Sequence, residues 1–190
     1  MSIIEYKNFG QKLANYTAPT LLGIKCGSIL SVSSDEFDID AHIKIFNCRA
    51  SKKLLKIKKL YDYKQRSVLL IYNEKLMKKR LADSQVKDML LYFGYSQDFS
   101  SEEYIDHLGE KVSLSKTFPH EIGIFLDYPL EDVIGFMENK GGNYKLCGYW
   151  KVYGNEETAK RTFTNYAKCR NFLCNKLNQG IDLYQALKIN

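Results

Sequence analysis

The chain has few of the residues on which familiar chemistries depend. In 190 residues it carries three prolines, three histidines and one tryptophan. No apolar run approaches the ~20 residues a bilayer-spanning helix needs, so no membrane segment is expected. The opening MSIIEYKNFGQKL lacks a basic region followed by an apolar stretch and a small-residue cleavage site. A secretory leader is therefore not expected, and a cytoplasmic location is. His42, His107 and His120 lie far apart and no two cysteines have zinc-ligand spacing, so no metal is expected. The five cysteines (Cys26, Cys48, Cys147, Cys169, Cys174) are odd in number and form no C-x-x-C pair, which favours reduced thiols over a disulfide framework. The Walker loop and the G-x-G-x-x-G fingerprint are both missing, and the zinc-protease pattern after His120 fails at Ile124. There is no repeat, low-complexity tract or linker, so a single domain over residues 1–190 is expected.

Hydrophobic residues make up 45% and charged ones 26%, which is ordinary globular usage. The formal charge of +6 favours anionic partners. Fourteen tyrosines stand out, and tyrosine serves both as core filler with a polar tip and as a stacking surface.

Periodicity supplies the elements. Ser2 with Glu5 fits a capping box, and Ile4, Phe9, Leu13 and Tyr16 follow at helical spacing, in a helix expected to end before Pro19. Thr20 to Val32 reads as a strand followed by an irregular segment. Ile39, Ile43 and Phe46 favour a helix between Asp35 and about Cys48. From Leu54 the period falls to two, with Leu55, Ile57, Tyr61 and Tyr63 on one face and Lys56 and Lys58 on the other. Val68–Tyr72 (VLLIY) is wholly apolar and should be a central strand, joined to the preceding one as a hairpin. Helices are expected around Leu76–Leu81, after an Asp83 or Ser84 cap as far as Gly94, and after the Ser100–Glu103 capping box. Two short helices opened by prolines should cover Pro119–Leu126 and Pro129 to about Asn139. Tyr144–Tyr153 reads as a strand, Asn155 as the cap of a long helix to about Leu177, and a last turn or two follows Gly180. Together these give an α/β (α+β) domain, with a single mixed sheet of about four strands packed against several helices.

Phe118–Tyr153 reads FPHEIGIFLDYPLEDVIGFMENKGGNYKLCGYWKVY. This block resembles the bacterial domain of unknown function family 3793, whose pattern runs F-P-H-E-I-G-x-F-L-x-Y-P and N-K-G-x-N-Y-x-x-x-G-x-W-K-V-Y. A weaker match lies at Ala18-Pro19-Thr20-Leu21 with Gly23 and Lys25. Where the family pattern has His-Cys this chain has Tyr16 and Thr17, and where it has glycine in L-G-Y-P this chain has Asp127. The resemblance implies no reaction and no cofactor.

Three kinds of site are suggested by the residues. His120 reads as a general base or metal ligand with Glu121 beside it, or else the two residues simply open a helix. Cys147 reads as a nucleophile activated by Lys145 and Lys151, or as an inert strand cysteine. In the segment Glu138–Tyr144, paired Gly141 and Gly142 let backbone amides approach an anion. Asn139, Lys140, Asn143, Tyr144 and Lys151 would supply charge and hydrogen bonds there. The bland alternative is a helix cap leading into a strand. The expected function is binding of a small anionic ligand, a phosphorylated metabolite or a redox cofactor, with His120 and Lys151 converging on the Asn139–Tyr144 turn. The alternative is a protein- or RNA-interaction module using the basic, tyrosine-rich surface of Lys52, Lys53, Lys56, Lys58, Lys59 and Lys64.

Overall fold

The computed structural model describes residues 2–115 and 118–189. Its frame is a three-stranded antiparallel sheet of β1 (Gly27–Ser33), β2 (Leu55–Tyr63) and β3 (Arg66–Asn73), in the order β1-β3-β2. The apolar Val68–Tyr72 segment is central, as its composition demands, because both its faces are covered. Leu69 and Ile71 face one apolar cluster while Leu70 and Tyr72 face another. On the first side pack α1 (Ile3–Leu21), α2 (Ile39–Ala50), the C-terminal half of α8 (Glu156–Asn178) and α9 (Leu183–Ala186). On the second lie α3 (Glu74–Leu81), α4 (Ser84–Tyr92), α5 (Ser101–Ser115) and α6 (Ile122–Phe125). Beyond the sheet, α7 (Leu130–Glu138) packs on a separate two-stranded ribbon, β4 (Leu146–Cys147) with β5 (Lys151–Val152).

Four expectations are corrected. The first helix does not stop before Pro19 but runs through it to Leu21. Thr17–Leu21 are buried, so packing offsets the missing backbone donor. The Thr20–Val32 segment is the end of α1, then a turn, and only then the strand from Gly27. A β-bulge between Lys59 and Tyr61 turns Leu60 and Tyr61 both toward the second cluster, so Tyr61 leaves the face of Leu55 and Ile57. Tyr144–Tyr153 is no strand of the main sheet. It folds back on itself as the small ribbon, so the strands form two sheets rather than one.

Candidate functional site

The ribbon takes its position from one carboxylate. Asp132, in the first turn of α7 and 3% exposed, accepts hydrogen bonds from Trp150 Nε1 (2.7 Å), Tyr153 N (2.7 Å) and Gly154 N (2.8 Å). Trp150 is thereby wedged between Tyr128, nearly parallel at 5.1 Å, and Phe163 of α8, edge-on at 4.6 Å. Gly148 lies so close to the Phe163 ring that a side chain there would collide with it. Trp150 thus anchors this region to the long helix.

The residues singled out from the sequence fall into two groups. Glu121 is 2% exposed and pairs with Lys111, whose ammonium also donates to the Phe93 carbonyl at 2.8 Å. His120 faces solvent, with its ring 5.6 Å from that of Phe136. Lys151 Nζ lies 5.7 Å from the same Phe136 ring and 4.9 Å from the Tyr144 ring. His120, Lys151 and the Asn139–Tyr144 turn therefore share one edge around Phe136.

The turn itself is a Schellman cap. Lys140 N donates to Met137 O (3.2 Å), Gly141 N to Phe136 O (2.8 Å) and Gly142 N to Asn139 O (2.8 Å). Gly141 has φ +74, and a Cβ there would press on Phe136. The amides proposed for an anion cradle are thus occupied by carbonyls. Lys151 Nζ donates to Gly141 O (2.6 Å), and Lys145 Nζ to Gly154 O (2.9 Å). An open groove of about 800 Å³ beside the turn is lined by Asn139, Asn143 and Lys145, but also by Glu131 and Glu138. Cys147 is exposed, not buried in a strand interior.

A different cluster concentrates unmet charge. The α1 helix ends in a Schellman cap around Gly23 (φ +72), with Gly23 N donating to Thr20 O and Ile24 N to Pro19 O. Lys25 N also donates to Pro19 O, and this reversal turns the Lys25 side chain inward, leaving it 7% exposed. Its Nζ lies 5.3 Å from the Tyr128 ring and 5.6 Å from the Tyr166 ring. No carboxylate or carbonyl among the described residues takes a hydrogen bond or ion pair from it. Burial pulls its pKa down to about 8, with Asp127 only partly opposing the shift.

Asp127 stands in the left-handed backbone region (φ +61), which suits the glycine of the family pattern. Its Oδ2 accepts from Cys26 N at 3.1 Å, and its Oδ1 faces Arg80 Nε at 3.9 Å. Arg80 Nη2 donates to Tyr128 O at 2.6 Å, while Arg80 Nε is buried without an acceptor. Two cations thus surround one carboxylate. Burial and the Asp127 charge push the neighbouring Cys26 thiol far up, which makes it a poor nucleophile. Sequence reasoning passed over Lys25, Arg80 and Asp132. The available signal was that Lys25 is the only charged residue between Thr20 and Val32.

The lysine-rich strand is largely neutralised. Lys56 pairs with Glu74 (2.7 Å) and Glu102 (3.0 Å), Lys58 with Asp106, and Lys59 with Asp40 (3.1 Å) and Asp62 (3.6 Å). Among the described residues no three His, Cys, Asp or Glu side chains gather as metal ligands, and no helix is long and apolar enough to cross a membrane.

The fold defines an α+β protein: an antiparallel three-stranded sheet between two helical layers, with an appended α7–ribbon unit. Residues 13–187 match the family described as "Protein of unknown function (DUF3793)", and the chain belongs to it. No curated protein and no solved structure matches.

Proposed function

We propose that the protein binds a small anionic molecule, and that the ligand's charge is received by Lys25 and Arg80. The observation carrying this reading is the largely buried Lys25 side chain, whose ammonium lies over two tyrosine faces with no hydrogen-bond acceptor among the described residues. Charged groups that are largely buried without a close counter-ion concentrate at sites of binding and catalysis. Arg80 Nε adds a second donor with nothing to bond. An anion would meet both needs through charge-assisted hydrogen bonds. The family-like block then acts as support: Asp132 fixes Trp150, Trp150 stacks on Tyr128, and Tyr128 covers Lys25. The cytoplasm is the compartment this reading assumes.

A second reading keeps the ligand class and moves it to the Phe136 edge, where His120 and Lys151 meet one ring. The ligand-binding residues there would be Asn139, Lys140, Gly141, Gly142, Asn143, Tyr144 and Lys151. Titration calorimetry with phosphate, pyruvate and acetate separates the two. Under the first reading Lys25→Met abolishes binding and Lys151→Met preserves it, and the reverse pattern selects the Phe136 edge. A protein or RNA partner instead of a small ligand would require nanomolar RNA or peptide binding that survives physiological salt, contrary to the paired state of Lys56, Lys58 and Lys59.

A further inference from the structure

We propose that a cavity at the opposite end of α1 from Lys25 binds a medium-chain carboxylic acid, with the alkyl chain inside and the carboxylate at Lys7. The inference is independent of the Lys25 reading. The cavity holds about 500 Å³, the size of a small-molecule site, between the first turns of α1, the turn after α8, and α9. Ile3, Tyr6, Lys7 and Gly10 recur at helical spacing, so one stripe of α1 forms a wall. Leu177 and Ile181 line it from the end of α8. Gly10 stands in the interior of a helix, where only proline is less favoured. A Cβ there would meet only Leu183 Cβ, at an ordinary 3.7 Å. Packing does not demand this glycine, and what it leaves is room in the cavity wall.

Ligand class follows from which polar groups on the wall are already engaged. Ser2 Oγ accepts from Glu5 N at 3.1 Å, Gln11 donates to Asn178 at 3.3 Å, and His42 Nε2 meets Glu5 Oε1 at 3.1 Å. Burial lowers the His42 pKa, so that ring adds no charge at neutral pH. Asp182 accepts from Tyr184 N at 2.9 Å and faces Arg49 at 4.0 Å. Lys7, the other charged side chain on the wall, has no carboxylate or hydrogen-bond partner among the described residues. An apolar volume with one free cation suits an amphiphile with a single negative head. The chain gains by leaving water, and the head gains a modest, salt-sensitive attraction to the ammonium. Acetate or phosphate would leave the apolar walls unused.

The test is titration calorimetry of the intact protein with hexanoate, octanoate, decanoate and 1-octanol. Affinity for the acids should rise about three- to fourfold with each added methylene. Lys7→Met should weaken octanoate about two- to fivefold at low salt and leave 1-octanol unchanged. Gly10→Leu, which fills the wall, should abolish binding of both, while Lys25→Met should affect neither. Amide NMR shifts on adding decanoate to the wild type locate the site without any variant, and should centre on residues 3–11 and 177–184. No saturable decanoate binding, or affinity indifferent to chain length, overturns the proposal. Shifts centred on Lys25 and Arg80 overturn this cavity while favouring the anion site proposed above. Decanoate bound here by a protein that binds neither phosphate, pyruvate nor acetate upholds the cavity and overturns the Lys25 reading alone.

Discussion

Lys111 and Lys25 each lie over two aromatic rings, but they differ in burial and in the partners of their charge. Lys111 lies over the rings of Phe93 and Tyr95, at 5.5 and 5.0 Å, much as Lys25 lies over Tyr128 and Tyr166. The aromatic faces offer each ammonium a similar modest attraction. Lys111, however, also reaches the buried Glu121 carboxylate and a backbone carbonyl, and Tyr95 OH donates to the same carboxylate at 3.4 Å. Its charge is fully answered, so the group ties α5 to the turn before α6. Lys25 has the rings and the more distant charge of Asp127, with no hydrogen-bond acceptor among the described residues. An aromatic platform by itself leaves most of the desolvation cost standing, and the comparison separates a lysine that supports the fold from one that the fold supports.

The comparison can be broken most forcefully at its paired member. Lys111→Met leaves Glu121 buried and unpaired, and urea denaturation should show a loss of about 3–5 kcal/mol. A loss below 1 kcal/mol would mean that the pair is not structural. Asp132→Ala strips three donors of their acceptor, one buried and two part-buried, and a buried donor left without one costs about 1–3 kcal/mol unless water replaces it. A total loss near 3 kcal/mol is expected, together with a red-shifted Trp150 emission as the indole is released. If stability falls without the spectral change, Asp132 does not hold Trp150.

Smaller effects sharpen the picture. Lys25 has a folded pKa of about 8 against an ordinary 10.5. Between those values the unfolded chain binds more protons than the folded one, so this group adds stability as pH rises through the window. Its cost is fully present below pH 8 and relieved by about pH 10.5, a change of up to about 3 kcal/mol. The stability gap between wild type and Lys25→Met should therefore close as pH rises over that range, while a gap constant with pH would rule out titration of Lys25 as its source. Least of all, Lys151→Met and His120→Gln sit at a half-exposed and an exposed position and should change stability by under about 1 kcal/mol.

Much of the scaffold was legible because local chemistry and tertiary context agree. The Ser2–Glu5 and Ser100–Glu103 capping boxes form, and Asn155 caps α8. Val68–Tyr72 is central because nothing in it tolerates water. The ribbon was not legible: its aromatic and β-branched residues satisfy a strand pattern, and only the distant carboxylate of Asp132 folds Tyr144–Tyr153 back. Pro19 was misread because the rule for proline is local, while the burial that overrides it comes from α8 and the sheet. The candidate site suffered most. Lysines and glycines near Lys140 read as a cradle, yet their donors are absorbed by nearby carbonyls, a matter of three-dimensional accounting. Lys25 has no motif, and its lack of an acceptor among the described residues shows only in the folded chain.

The most direct test of that deficit is the midpoint of reversible urea unfolding for Lys25→Met at pH 7, without ligand. Met keeps most of the side chain's apolar volume and removes the unanswered charge. The account predicts a variant more stable than wild type by about 1–3 kcal/mol, with anion binding lost. A variant less stable than wild type would contradict it, since that result would make Lys25 a structural cation like Lys111.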